Sequence, residues 1–108
     1  MEAQKKSMRT YFAALVPDRK SSAYSIFLPD FPEMNDQAES LPDAVATAPE
    51  TLREEFRLRS VERRDIPDPM SLADARKWLR DRFSDYDGSA DPVPYDDVVF
   101  LPIPEPNV

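Results

Sequence analysis

The chain has no cysteine, no histidine and a single glycine, Gly88. Without cysteine there is no disulfide, no thiolate metal site and no thiol nucleophile. Without histidine the commonest general base and metal ligand is missing. With one glycine, most turns fall to Pro, Asp, Asn and Ser. No Gly-rich phosphate loop occurs, and Ser71 and Lys77 fit no nucleophile motif. No apolar run is long enough to span a bilayer. The opening MEAQKKSMRT lacks the apolar stretch of a secretory signal. The expectation is a cytoplasmic protein that is not an enzyme and holds no cofactor or metal.

What the chain does have is proline and charge: 12 prolines, 32% charged residues, and 21 acidic against 14 basic side chains for a net −7. At 108 residues it is one domain by length, burying roughly 65% of its unfolded surface on folding. The charge is uneven. Residues 1–20 hold five Lys or Arg against Glu2 and Asp18, whereas residues 81–108 hold seven carboxylates against Arg82. An acidic chain repels phosphate backbones and favours a basic partner, although acidic surfaces also simply keep proteins in solution.

Short apolar runs bounded by turn residues predict strands at Tyr11–Val16 and Ala23–Leu28, joined by the turn Asp18–Ser22 as an antiparallel hairpin. On the second strand Tyr24, Ile26 and Leu28 share one face, with Ser25 and Phe27 on the other. Pro29 and Pro32 end strand pairing, and Met34–Glu39 is long enough for a short third strand. Ser40-Leu41-Pro42-Asp43 opens a helix as a capping box. Leu41, Val45, Ala48, Leu52 and Phe56 form its apolar stripe as far as about Arg63. Pro49 interrupts that pattern inside Thr47-Ala48-Pro49-Glu50, so a kink or a break and restart is expected near Thr47. Ile66–Pro69 reads as an extended linker, and Ser71 caps a second helix with Leu72, Ala75, Leu79 and Phe83 on one face. A loop rich in Asp and Pro follows from Ser84, and Val98–Leu101 is a last strand closed by Pro102 and Pro104. The fold class is therefore α+β: an antiparallel sheet of three to four strands packed on one long helix, plus a second helix, in βββααβ order. Residues 1–9 are expected to be a flexible N-terminal segment, 10–104 the domain and 105–108 a tail.

Asp30, Glu33 and Asp36 are close enough in sequence to raise the question of a Mg²⁺ site for phosphoryl chemistry. Their spacing matches no ligand pattern, and Asp and Pro are ordinary turn residues. Arg57, Arg59, Arg63 and Arg64 alternate with Glu54, Glu55 and Glu62, which reads as an ion-paired helix face rather than a nucleic-acid reader. Arg76, Lys77, Arg80 and Arg82 beside Trp78 read as the charged outer face of an amphipathic helix.

The order YFAALV, AYSIFLPDFPE, ESLPDAVATAPETLREEF and DIPDP resembles the HicB antitoxin family. Leu28-Pro29-Asp30-Phe31-Pro32 stands where the family has its phenylalanine–proline–aspartate–leucine–proline segment. Ser40–Ala44 stands at its helix start, Ile66–Ser71 at its proline-rich exit and Val98–Ile103 at its final strand. Glu33 and Met34 replace the family's common glycine and cysteine, and Pro49 falls in a helix that is usually unbroken. The resemblance implies a reduced ribonuclease H-like fold without catalytic carboxylates, and self-association as a homo-oligomer. It also implies neutralisation of a HicA-type toxin, a small basic mRNA-cleaving protein with a catalytic histidine. The alternative is an orphan interaction or assembly protein of the same fold that has lost its toxin. No helix-turn-helix or ribbon-helix-helix segment is found, so direct DNA binding is not expected. Exposure and charge nominate Asp30, Phe31, Glu33 and Asp36 as the partner-binding surface.

Overall fold

The computed structural model describes residues 9–84 and 94–107. Three strands, β1 (Thr10–Pro17), β2 (Tyr24–Phe27) and β3 (Asn35–Ala38), form a meander. Two helices follow, α1 (Leu41–Glu62) and α2 (Leu72–Arg82), and β4 (Val99–Pro104) returns to pair with β1. The sheet is antiparallel throughout, in the order β3-β2-β1-β4. The α+β class and βββααβ order are as the sequence suggests, with the third strand formed. Of the N-terminal segment and the Asp/Pro loop, residues 1–8 and 85–93 lie outside the described residues. Arg9 itself is held: its carbonyl accepts from the Glu105 N–H, and its guanidinium pairs with Glu105 and Asp68.

Period-two alternation on the central strand decides what each helix covers. Tyr11, Ala13 and Leu15 of β1 point to one face, where they meet Ile26, Leu28, Ile103 and the α1 side chains Ala44, Ala48, Leu52 and Phe56. Ala14 and Val16 point to the other, where Leu79 of α2 packs with Phe27, Trp78, Val98 and Phe100 around it. The sheet is thus covered on both faces, by a long helix on one and a short helix on the other. Ala44 and Ala48 carry little side-chain volume, so the first turns of α1 lie close against the strands.

Both helices begin as the sequence reads. The Ser40 hydroxyl accepts the Asp43 N–H at 3.3 Å and the Ser71 hydroxyl accepts the Asp74 N–H at 3.1 Å. α1 differs from expectation at Pro49, where it neither breaks nor restarts but runs continuously over 22 residues. Val45, whose carbonyl loses its amide partner to the proline ring, is 41% exposed, and Pro49 is exposed with it. The orphaned acceptor therefore lies on the solvent side, where water can serve it. Val45 consequently leaves the buried stripe, which runs instead through Ala44, Ala48, Thr51, Leu52, Glu55 and Phe56. The helix closes on Arg63 in the left-handed region at φ 58°, with the Arg64 N–H on the Arg59 carbonyl and the Arg63 N–H on that of Ser60. A glycine would normally sit there; a non-glycine residue costs about 1–2 kcal/mol in that conformation.

β4 also corrects the sequence reading, since it runs through Pro102 and Pro104 rather than stopping before them. The hydrogen bond from Glu105 N–H to Arg9 C=O sets the parity of the ladder. Odd-numbered residues of β4 exchange bonds with β1, whereas Pro102 and Pro104, opposite Phe12 and Thr10, occupy positions whose amide faces outward. On an edge strand such a position has no ladder bond to lose, so proline is tolerated there.

Candidate functional site

The segment Leu28–Met34 accounts for its two prolines. The Phe31 N–H donates to the Leu28 carbonyl at 2.8 Å, and the Met34 N–H donates to the Phe31 carbonyl at 2.8 Å. These are consecutive four-residue turns, with Pro29 and then Pro32 at the second position, where the fixed φ of proline is favoured. The double turn carries the chain from β2 across to β3. It also drives Phe31 inward, where the ring is fully buried between Tyr11 and Phe56 at 6.0 and 5.9 Å. The structure therefore places Phe31 in the core, as the anchor of the loop, and brings Asp30, Glu33 and Asp36 to the periphery around it.

Each of the three carboxylates has a different environment. Half-buried Asp30 accepts the Met70 N–H at 2.9 Å, tying the double turn to the linker between the helices. Glu33 is exposed and meets Arg59 Nη2 at 3.0 Å. Asp36, on the outer strand β3, accepts the neighbouring Gln37 N–H with one oxygen and the Thr51 hydroxyl with the other. Among the described residues no three such side chains gather into a group that could hold a metal ion.

Arg59 ties this region together. Its Nε donates to buried Glu55 at 2.9 Å, its Nη1 to the Asp65 carbonyl at 3.0 Å and its Nη2 to Glu33, while the guanidinium lies over the Phe31 ring at 4.8 Å. One planar fork thus joins the end of α1, the linker and the double turn. The linker is fastened at two more points. Tyr11 donates its hydroxyl to the Pro67 carbonyl at 2.7 Å, and Arg9 Nη1 donates to Asp68 at 2.6 Å. Burial pushes the Tyr11 phenol up to about 12, so it remains a donor at any physiological pH.

Burial also raises the Asp30 carboxyl above its ordinary value, and the Met70 N–H opposes the rise. A carboxylate raised on folding costs stability at neutral pH, and the cost is relieved as pH falls through its folded-state pKa. Asp30→Asn keeps an oxygen for the Met70 N–H and removes the charge. It is expected to be at least as stable as the parent near neutral pH, with the difference shrinking as pH is lowered through the carboxylate range in urea titrations. A variant less stable than the parent near neutral pH, with the deficit closing as pH falls, would show that the charged form is the favoured one.

The sequence reading missed the extent of the acidic surface. From Ser21 to Leu52 there is no Lys or Arg, and the six carboxylates are Asp30, Glu33, Asp36, Glu39, Asp43 and Glu50. All but Asp30 are exposed, forming a rim along the double turn, β3 and the first turns of α1. Among the described residues only Glu33 of these six meets a cationic side chain. The gap in Lys and Arg is legible in the sequence and marks the rim more completely than the proline segment does. Chemically the rim accepts hydrogen bonds and attracts cations; it offers nothing to an anion.

The model of a family described as the HicB-like antitoxin of bacterial toxin–antitoxin systems matches residues 10–78. Among solved structures, a chain from a toxin–antitoxin complex of Streptococcus pneumoniae superposes with a TM-score of 0.66 at 22% identity, covering 91% of this chain and 69% of that one. At that identity the likeness is one of fold. No curated protein matches the sequence. The matched stretch runs from the first residue of β1 into α2 and includes the double turn, the acidic rim and Arg59, so this chain belongs to the HicB-like antitoxin family.

Proposed function

We propose that the chain neutralises a small, basic, mRNA-cleaving toxin of the HicA type by direct contact, with the acidic rim as the contact surface. Asp30, Glu33 and Asp36 supply its centre, Glu39 and Asp43 extend it, and Phe31 holds the double turn in shape from inside. The observation that carries this reading is a run of five exposed carboxylates, four of them without a cationic neighbour among the described residues. Such a rim steers a cationic partner into contact and occupies the basic face that RNA would need. A carboxylate beside a catalytic histidine also stabilises the imidazolium, which removes the neutral base from the reaction.

The test is titration calorimetry against a small basic HicA-type toxin, at low and at moderate salt. Submicromolar binding is expected, weakening about tenfold or more as salt is raised to physiological strength, because exposed charges are screened beyond about 8 Å there. Binding at neither salt would remove the toxin from the account.

A further inference from the structure

α2 carries a second charged surface, of the opposite sign, on the other side of the sheet. Its arginines lie over aromatic rings: Arg76 over Phe100 at 5.9 Å, Arg80 over Tyr95 at 4.7 Å, and Arg82 over both Phe27 and Trp78 at 5.2 and 5.3 Å. Among the described residues none of the three forms an ion pair, whereas Lys77 on the same helix is matched with Asp81 at 2.7 Å. A guanidinium laid on a ring keeps its in-plane N–H donors facing outward, and stacking fixes their direction. Beside Arg76 and Arg80 lies a hollow of about 300 Å³ with an apolar floor of Leu79, Val98 and Phe100. Through Arg80, Tyr95 and Asp96 it continues into a second hollow of about 400 Å³ that reaches Arg19.

We propose that this face is a docking surface for an acidic, extended polypeptide segment of a partner protein, with carboxylates at alternate positions. Arg76 and Arg80 are one helical turn apart, about 5–6 Å. Alternate residues of an extended chain project to the same side about 6.5–7 Å apart. Two carboxylates of an acid-x-acid stretch therefore meet the two guanidinium forks, and the apolar floor takes the stems of the same side chains. A nucleic-acid strand fits less well. The arginines already cover the aromatic faces that bases would stack on. The acidic rim is associated with β3 and α1, on the far side of the sheet, so a basic toxin and an acidic segment address different surfaces.

Trp78, the chain's one tryptophan, lies by Arg82 and lines neither hollow, so binding is read by titration calorimetry. The chain alone would be titrated, at low salt, with a synthetic peptide of alternating Glu and Ser about twelve residues long, and separately with an oligouridylate and with inorganic phosphate. A saturable change with the peptide is expected, weakened about tenfold or more in Arg76→Gln/Arg80→Gln and by less in Arg76→Lys/Arg80→Lys, which keeps the charges and the packed stems but loses the forks. If the glutamine pair fails to fold, the lysine pair decides: affinity equal to the parent's would overturn the fork-based assignment. No saturable change, undiminished binding in the folded glutamine pair, or tighter binding of the oligouridylate would each overturn the proposal. A sedimentation coefficient that falls in the glutamine pair, without any ligand, would identify the occupant as a second copy of this chain and likewise overturn it. None of these outcomes bears on the toxin titration.

Discussion

Arg59→Ala is expected to lower the unfolding free energy by about 3–5 kcal/mol, because it leaves a buried carboxylate without its compensating charge. Glu55 is only 4% exposed at its side chain, and Arg59 13%, so solvent does little to screen the pair. The next nearest cation is Arg64, whose Nη2 lies 3.9 Å from Glu55; its partial compensation places the effect towards the lower end of that range. The same truncation releases Glu33, the Asp65 carbonyl and one face of Phe31, so the double turn loses its tie to α1. Arg59→Lys keeps a charge but not the fork and should fall in between. Replacing both partners, as Glu55→Gln/Arg59→Met, should recover much of the loss, since an apolar pair of similar volume leaves no charge buried. Urea titration of the three variants reads all of this. A cost below about 1 kcal/mol for the alanine variant would mean that the fork is ornament on a turn held by Phe31 alone.

Glu33→Lys/Asp36→Lys is expected to weaken toxin binding on the order of a hundredfold at low salt and to flatten its salt dependence. Two reversals change the local charge by four units at the centre of the rim, and most of the loss should appear in the association rate. Asp30 is left alone for a structural reason. Its oxygen holds the Met70 amide, and a lysine there would disturb the turn as well as the charge. Asp36→Lys, in contrast, leaves the Thr51 hydroxyl the Thr47 carbonyl at 3.2 Å as a remaining acceptor. Stopped-flow and calorimetry on the same variant separate rate from affinity. An unchanged association rate would take the rim out of the interface even if the partner still binds.

Much of the fold is written locally. The strands announce themselves by short apolar runs, both helices by serine caps, and the double turn by prolines three residues apart. Where the reading failed, a local rule met a non-local circumstance. Pro49 should break a helix in isolation, yet its seam faces water while the opposite side is clamped to the sheet. Pro102 and Pro104 should end a strand, yet this strand lies at an edge and they fall on its outward positions. Phe31 sits among acidic residues and reads as exposed; two turn hydrogen bonds point it inward. In the sequence Arg59 reads, among alternating charges, as one member of a solvated face. Its role depends on Glu33, 26 residues earlier, and no spacing within the helix reveals that. The placement of α2 on the far face of the sheet was equally invisible, because an apolar stripe specifies that a helix packs, not against which side.

The proline positions in β4 have a consequence for the sheet as a polymer unit. A strand-paired fibre grows only if every subunit has two reactive ends. Here one end is β3, whose Asn35 and Gln37 backbone groups face outward by the parity of the β2–β3 ladder, with the Gln37 amide already taken by Asp36. The other end is β4, where two of the three outward positions, Pro102 and Pro104, offer carbonyls and no amide donor, leaving the Phe100 N–H alone. A strand arriving at β4 would meet one amide donor in place of three, so growth through that edge is disfavoured. At high local concentration this edge works against strand-paired fibres.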